Sequence, residues 1–196
     1  MNDSVTLRTA VAADVPAIHR LIVDNLEVGH LLPRSIEDVA EHVSRFVVAS
    51  VGETVVGCAE LAPLSPNVAE VRSLVVDEAF RGRHIGPELV TRLGTIGKGA
   101  GFSTLCAFTH EPSHFVRMGF TIVPHMWVPE KIAHDCTSCA LFRRCGQYAV
   151  TLPLRAGVTL RPEQPAAIIH GTRPTAARRL ALRPITAERE PEAVPA

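Results

Sequence analysis

The 196-residue sequence predicts an α/β (α+β) domain in which strands and helices follow one another. Residues 4–9 alternate with the two-residue period of a half-buried strand, whereas residues 85–97 carry apolar side chains at helical spacing. With 46% hydrophobic residues, a chain of this length can build one domain core. Since only 5% of the residues are aromatic, that core must consist mainly of aliphatic side chains.

The chain opens with a predicted strand, 4–9, and a helix that starts near Asp14. Asp14 stands directly before Val15 and Pro16, so we expect it to cap the helix, with the proline in the first turn. Ser35 heads the sequence Ser-Ile-Glu-Asp, which is a capping box with Asp in place of Glu or Gln. A second, short helix is therefore predicted to begin there.

A β-hairpin and a further strand follow the second helix. Residues 45–50 and 54–61 are apolar runs on either side of a turn that contains Gly52, and 68–77 is the next β segment. The helix 85–97 then leads to a buried strand, 103–109. A short helix runs through Phe115 and breaks at Gly119.

Charge and composition limit the classes of partner and the compartment. The 20 Lys and Arg residues balance 20 Asp and Glu residues, which argues against nucleic acid as a partner. No apolar run approaches the ~20 residues that span a bilayer, and the N-terminus lacks a secretory pattern. We therefore expect a cytoplasmic protein without a membrane partner. Pro, Arg, Ala and Glu predominate in residues 156–196, which predicts a disordered tail.

The segment from Val71 to Gly86 carries the clearest chemical signal. It is predicted to form a strand followed by a turn, and the residues Arg81-Gly82-Arg83-His84-Ile85-Gly86 lie where the next helix begins. Amides at a helix N-terminus have no intrahelical acceptor and favour an anion, so this turn is a candidate phosphate site. The alternative is an ordinary strand-to-helix turn with two solvated arginines.

These residues resemble the GNAT acetyltransferase superfamily, whose motif reads Arg/Gln-x-x-Gly-x-Gly/Ala after a strand of the type Val-Arg-Ser-Leu-Val-Val-Asp. The register is intact from Arg72 to Gly86, and Phe115-Val-Arg-Met-Gly-Phe120 is similar to the closing signature of the family. The resemblance implies the GNAT fold, a mixed, mostly antiparallel sheet flanked by helices, over residues 1–155. It also implies a cysteine-containing C-terminal extension, with the cysteine-rich segment at 129–148.

The family resemblance implies acetyl-CoA as cosubstrate. The pantetheine arm would pair with the backbone of Leu74, Val75 and Val76. The pyrophosphate would lie on the turn formed by Arg81, Gly82, Arg83, His84, Ile85 and Gly86. His84 stands where the family most often has glycine. Because this position begins a helix, we expect that it needs no positive φ.

The reaction implied by the resemblance is direct attack of an amine on the thioester. Glu70 would act as the general base, and the alternative is an exposed carboxylate at a strand edge. Many relatives use a tyrosine as general acid where this chain has Phe115. His110 and His114 are further candidate proton acceptors, although capping or solvated histidines are the commoner case.

Within the superfamily the chain is most similar to short N-acetylglutamate synthases, which open arginine biosynthesis. The similarity rests on residues 70–74, on Phe115, and on residues 128–132 followed by Asp135-Cys-x-x-Cys139. It implies L-glutamate as acceptor, with Arg72, Lys131 and Arg117 as candidate carboxylate-binding cations. Another amino acid, a small amine or a protein N-terminus is the alternative acceptor. A non-catalytic acyl-CoA-binding or metal-binding regulatory module is the alternative class, and a homodimer is allowed.

Three of the five cysteines crowd into one segment. With His134, the residues Cys136, Cys139 and Cys145 have the ligand types and close spacing of a zinc site. The second cysteine pair of a zinc ribbon is absent, so we favour small buried thiols, or an occasional disulfide, that hold a loop over the substrate pocket. Cys58 and Cys106 lie in apolar strand patterns and are predicted core residues.

Overall fold

The structure is a computed structural model that describes residues 4–27 and 31–158. All of these residues fall within one compact unit, 1–162. The predicted tail, 156–196, lies outside the described residues except for 156–158. Among the described helices, none is both long and apolar enough to cross a membrane.

In the described residues, seven strands form one sheet in the order β1-β2-β3-β4-β5-β7-β6. All neighbouring pairs are antiparallel except β4 and β5, which confirms the predicted mixed, mostly antiparallel sheet. The strands are β1 (Val5–Thr9), β2 (Phe46–Val51), β3 (Thr54–Pro63), β4 (Val68–Val76), β5 (Thr104–Thr109), β6 (Thr121–Val123) and β7 (Tyr148–Pro153).

Helices cover both faces of the sheet, because the central strands are apolar on both sides. The side chains of Phe46 and Val48 on β2 pack with α1 and α2, whereas the alternate residues Val47 and Ala49 pack in the cluster that contains α3. The helices are α1 (Val15–Asp24), α2 (Ile36–Glu41), α3 (Ile85–Gly99), α4 (Pro112–Arg117) and α5 (Pro129–His134).

One predicted cap is confirmed and the other is corrected. The Ser35 hydroxyl accepts a hydrogen bond from the Asp38 amide at 3.1 Å, as the capping-box pattern predicts. Asp14 makes no side-chain cap to α1. Its carboxylate instead accepts from the Val11 amide at 2.8 Å and from two nitrogens of Arg8. The Asp14 side chain therefore stabilises the start of the 3-10 turn Ala12–Asp14, which precedes α1, and not the start of α1 itself.

The cysteine-rich segment lies between β6 and β7. After α5 it forms two short 3-10 turns, Cys136–Ser138 and Phe142–Arg144, and the chain then returns as β7 between β5 and β6. The segment predicted as a C-terminal extension is thus followed by a strand of the sheet.

Candidate active site

The two parallel strands part after a short stretch of pairing. β4 and β5 are paired only from Val68 to Glu70 on β4, although β4 continues to Val76. Among the described strands, none pairs with β4 beyond Glu70 on that side, and this backbone faces a cavity of about 1800 Å³. The cavity extends from the N-terminus of α3 to α5, and residues of both elements line it.

A β-bulge lies on β4 three residues beyond its last pair with β5. The register with β3 shifts between Cys58 and Glu60, and Ser73 opposite them has a left-handed φ of 48°. The Cys58 thiol donates to the Ser73 carbonyl at 3.6 Å and supports this backbone. A bulge bends and twists its strand. It therefore bends β4 within the stretch that is no longer paired with β5.

The turn before α3 corrects our expectation for His84. Gly82 has φ 79° and His84 has φ 61°, so the histidine is left-handed where we expected no positive φ. Histidine is several-fold enriched in this region among non-glycine residues, so the family's glycine can be replaced here. The first intrahelical bond runs from the Glu88 amide to the His84 carbonyl at 3.1 Å. The amides of Ile85 and Gly86 precede it and have no acceptor within the helix.

Eight of the nine predicted cosubstrate residues line the cavity, and Arg83 does not. The Arg83 guanidinium lies over the Phe80 ring, 5.1 Å from its centroid. Arg81 donates to the Val76 carbonyl at 3.2 Å and to the Asn25 side chain at 2.6 Å. Arg81 thus ties the turn to β4 and to the residue after α1, which fixes the amides of the turn in place.

Four side chains of alternating charge form a closed ring in the gap between β4 and β5, at the end of the cavity where α5 lies. Glu70 accepts from Arg72 Nε at 2.5 Å and from Lys131 Nζ at 2.7 and 2.9 Å. One oxygen of Asp135, Oδ2, accepts from both Arg72 and Lys131, the latter at 2.8 Å. The ring has no net formal charge, and it joins β4 to α5.

Burial differs strongly among the four ring members. The Glu70 side chain is 3% exposed, which excludes the exposed strand-edge carboxylate that we weighed as an alternative. The Asp135 side chain is 31% exposed. Burial opposes the charged form of Asp135, but hydrogen bonds from Lys131 and His134, with the charges of Lys131 and Arg72, hold its pKa below the ordinary value. Asp135 therefore stays a carboxylate near neutral pH.

Sequence reasoning missed a second ion-pair network on the neighbouring strand. Arg34 donates to Glu60 on β3 and to Asp38 on α2, and all three line the same cavity. Glu60 is only 1% exposed and lies opposite Arg72 in the register of the two strands. Glu60 is the one acidic residue between Val55 and Pro63, and a lone carboxylate in an apolar strand is the signal that could have found it.

The other predicted proton-transfer and acceptor residues lie on the α4 side of the cavity. The His114 imidazole lies beside Gly86, at the cosubstrate turn, and the His110 imidazole lies beside Gly146. Burial and the charge of Arg117 lower the pKa of His114. Arg117 lines the cavity but has no ion pair with the ring. Phe115 is buried against Phe120, with ring centroids 5.1 Å apart.

The three cysteines of the cysteine-rich segment are not buried, so the prediction of small buried thiols is wrong. Cys136 and Cys139 are half-buried and Cys145 is exposed, because the segment forms a rim of the cavity. His134 pairs with Asp135 at 2.9 Å. Within residues 4–27 and 31–158, no three His, Cys, Asp or Glu side chains are grouped so that they could hold a metal ion. Cys58 and Cys106 are core residues, as predicted.

The parted strands and the adjacent helix N-terminus define a class of protein that binds a phosphate-bearing acyl carrier. Unpaired strand backbone can accept an extended amide-containing arm, and the amides that begin α3 can hold its phosphates. Over residues 15–120 the sequence matches the Acetyltransferase (GNAT) family, and the chain belongs to that family. It is an acetyl-CoA-dependent N-acetyltransferase, and the cavity residues fit this cosubstrate.

Curated relatives agree with this assignment. The chain is 34% identical to the uncharacterized N-acetyltransferase CT2212 of Chlorobaculum tepidum over 76% of this chain and 96% of that protein. It is 35% identical to an amino-acid acetyltransferase of Mycobacterium tuberculosis over 59% of this chain and 67% of that protein. It is 28% identical to the amino-acid acetyltransferase of Escherichia coli K12 over 66% of this chain, but it spans only 30% of that longer protein.

Solved structures show the same fold. Rv2747 of Mycobacterium tuberculosis, in complex with CoA and NLQ, has a TM-score of 0.66 and 26% identity over 76% of this chain and 98% of that chain. N-acetylglutamate synthase of Neisseria gonorrhoeae, complexed with coenzyme A and N-acetyl-glutamate, has a TM-score of 0.70 and 25% identity. This match covers 79% of the present chain and 36% of the synthase chain.

Proposed function

We propose that the protein transfers the acetyl group of acetyl-CoA to the α-amine of an amino acid, with L-glutamate as the first candidate. The observation that carries this proposal is the position of Arg72 and Lys131. Both cations line the cavity beyond the gap that fits the pantetheine arm, and both contact the same two carboxylates. Paired cations are suited to an acceptor that carries a carboxylate beside its amine.

Glu70 is the proposed general base, acting directly or through water. It lies on β4 at the last residue pair before the strands part, where the acetyl end of the cosubstrate would lie. Its carboxylate accepts three hydrogen bonds from cations, two at Oε2 and one at Oε1. Oε1 therefore keeps one acceptor site for the proton of the amine. Arg117, which lies apart from the ring, is a third cation for the distal end of the acceptor.

The relatives support the class of acceptor. Curated relatives are named amino-acid acetyltransferase, and a structural relative is N-acetylglutamate synthase bound to N-acetyl-glutamate. If glutamate is the acceptor, the protein serves arginine biosynthesis. A cytoplasmic location belongs to the same proposal. A homodimer is part of the same proposal, and its test is the mass of the purified protein in solution.

An amino acid other than glutamate is the second candidate, and one observation favours it. The ring of Glu70, Arg72, Lys131 and Asp135 has no net charge, because each cation is matched by an acid of the chain itself. The ring thus offers no surplus positive charge, and glutamate brings one more negative charge to it than a neutral amino acid does. An acceptor with an α-carboxylate and a neutral side chain would meet the same contacts.

The deciding experiment measures thiol release from acetyl-CoA with each of the twenty amino acids, with the N-acetyl product identified by mass spectrometry. We expect the highest kcat/KM for glutamate. A higher value for a neutral amino acid would select the second candidate. No release above thioester hydrolysis with any amino acid would refute both and leave a small amine or a protein N-terminus as acceptor.

A further inference from the structure

Asp135 is the member of the ring that the remaining structure holds least firmly. Glu70 belongs to β4 and Lys131 is 13% exposed, whereas Asp135 follows α5 and is 31% exposed. A single oxygen, Oδ2, makes both contacts to Arg72 and Lys131. Rotation of one side chain would therefore break both ion pairs at once.

A partner outside the ring is available to the displaced carboxylate. The other Asp135 oxygen, Oδ1, accepts from His134 Nδ1 at 2.9 Å, and the His134 side chain is 55% exposed. The backbone amide of Asp135 donates to the Lys131 carbonyl at 3.0 Å, so the peptide is fixed while the side chain turns. When Asp135 leaves the ring, its carboxylate is therefore not left buried without a partner. An unpaired buried charge is the outcome that makes breaking an ion pair costly.

We infer that the side-chain carboxylate of Asp135 occupies the binding subsite of the acceptor carboxylate when no acceptor is bound. It occupies the subsite between Arg72 and Lys131 until a carboxylate of the acceptor replaces it. This inference rests on the proposed function, because it assigns an occupant to the cations that the proposed function assigns to the acceptor. The exchange replaces one carboxylate by another, so the net charge of the subsite is unchanged.

The exchange sets the affinity and selectivity of the subsite. An acceptor without a carboxylate cannot replace Asp135, and its approach leaves the subsite filled. An acceptor with one must compete with a tethered group whose effective concentration is of the order of millimolar or more. If Asp135 fills the subsite for about nine-tenths of the time, the apparent affinity for a free carboxylate is lowered about tenfold.

The test is the binding of glutarate, a dicarboxylate without an amine, measured by calorimetry on the full chain. For Asp135→Asn we expect glutarate to bind at least about tenfold more tightly than to the wild type. The matched control is Glu130→Gln, which removes one negative charge from α5, the helix that Asp135 follows, but has no ion pair with Arg72 or Lys131. The control should bind glutarate as the wild type does.

If Asp135 had a purely structural role, its replacement would loosen α5, and the variants would bind glutarate more weakly than the wild type. Asp135→Ala, which has no side-chain oxygen or nitrogen that could mimic the carboxylate, should give the same gain as Asp135→Asn, and circular dichroism confirms that both are folded. If glutarate binds both folded variants no more tightly than the wild type, or binds to none of the three proteins, the inference is wrong.

The outcome is separate from that of the proposed function. Glutarate cannot be acetylated, so tighter binding by the variants supports the inference even when no amino acid is turned over. Conversely, if glutamate is acetylated but the Asp135 variants gain no affinity for glutarate, the proposed function stands and the inference falls alone.

Discussion

Nζ of Lys131 lies 2.7 Å from Oε1 of Glu70, although 61 residues separate them along the chain. Both side chains are largely buried, and the contact ties α5 to the strand at the point where β4 leaves β5. Lys131 also lies over the Phe108 ring of β5, 5.2 Å from its centroid. One ammonium group thus links β4, β5 and the segment that carries the cysteines.

Replacing Lys131 by Met should raise KM for the amino-acid acceptor by about 10- to 100-fold, since hydrogen bonds to charged groups contribute ~1.5–3 kcal/mol. KM for acetyl-CoA should change little, because the residues predicted for that cosubstrate lie on β4 and the α3 turn. Steady-state kinetics with each substrate varied in turn give both values. Lys98→Met, at the exposed end of α3, is the control. An unchanged acceptor KM in the Lys131 variant would contradict the proposed acceptor site.

Replacing Gly82 by Ala should weaken acetyl-CoA binding. Gly82 has φ 79°, and no atom lies within 4 Å of the position that an added Cβ would take, so the substitution strains the backbone by ~1–2 kcal/mol without a clash. Relief of that strain moves the amides of the turn, and KM for acetyl-CoA should rise about threefold to tenfold.

Gly52 provides a matched control for the Gly82 substitution. It has φ 57° and equally open space around an added Cβ, but it lies in the β2–β3 turn and does not line the cavity. Gly52→Ala should lose comparable stability in thermal unfolding while KM for acetyl-CoA stays as in the wild type. Equal effects of the two variants on KM would argue against a cosubstrate role for the α3 turn.

The Asp14 carboxylate should make folding stability depend on acid pH. Hydrogen bonds from Arg8, chiefly, and from the Val11 amide outweigh burial and hold the pKa of Asp14 below its ordinary value of 3.8. A depressed pKa in the folded state stabilises the protein above the pKa of the unfolded chain, and that stability is lost as pH falls through the folded pKa.

Asp14→Asn should therefore lower the free energy of unfolding by ~1–3 kcal/mol near neutral pH. The difference from the wild type should shrink as pH falls below about 4. Urea unfolding at several pH values measures both effects. Asp24→Asn, an exposed acid on α1 that forms no ion pair with the described residues, is the control and should leave the free energy of unfolding at neutral pH near that of the wild type.

The cysteines should separate into two reactivity classes. Cys58 and Cys106 are buried, and burial raises the pKa of the Cys58 thiol to about 12 and also raises that of Cys106. The remaining three thiols line the cavity rim. Iodoacetamide should modify those three in the native protein and all five after denaturation, with peptide mass spectrometry locating the labels. Native labelling of Cys106 would contradict the described packing of β5 against β7.

Local patterns predicted the elements that carry one periodicity or one clear cap. The hairpin strands, the strand 68–77 and the long helix all appear within a few residues of their predicted bounds, because each buries one continuous apolar surface. Asp14 was misassigned because a 3-10 turn and the first turn of a helix offer it similar amides. The left-handed φ of His84 escaped prediction because it is set by the geometry of the turn, whereas residue type favours it only weakly.

The candidate site was predicted by residue type but not by pairing. Glu70, Arg72 and Lys131 were each identified, yet their ring with Asp135 joins β4 to α5 across more than 60 residues. Such contacts depend on how α5 crosses the parted strands, and no local periodicity encodes that path. Arg34 and Glu60 were missed for the same reason.

The short stretch of pairing between β4 and β5 divides the sheet into two halves. Within the described part of the chain, three ladder pairs join strands β1–β4 to strands β5, β7 and β6, so the two half-sheets form a wedge that is open at one end. If the pantetheine arm binds along Leu74–Val76, as we predict from the sequence, it would extend the interrupted ladder as an added strand. Each catalytic cycle would then alternate between a split sheet and a continuous one, and amide hydrogen exchange at Leu74–Val76 would report which half of the cycle the enzyme occupies.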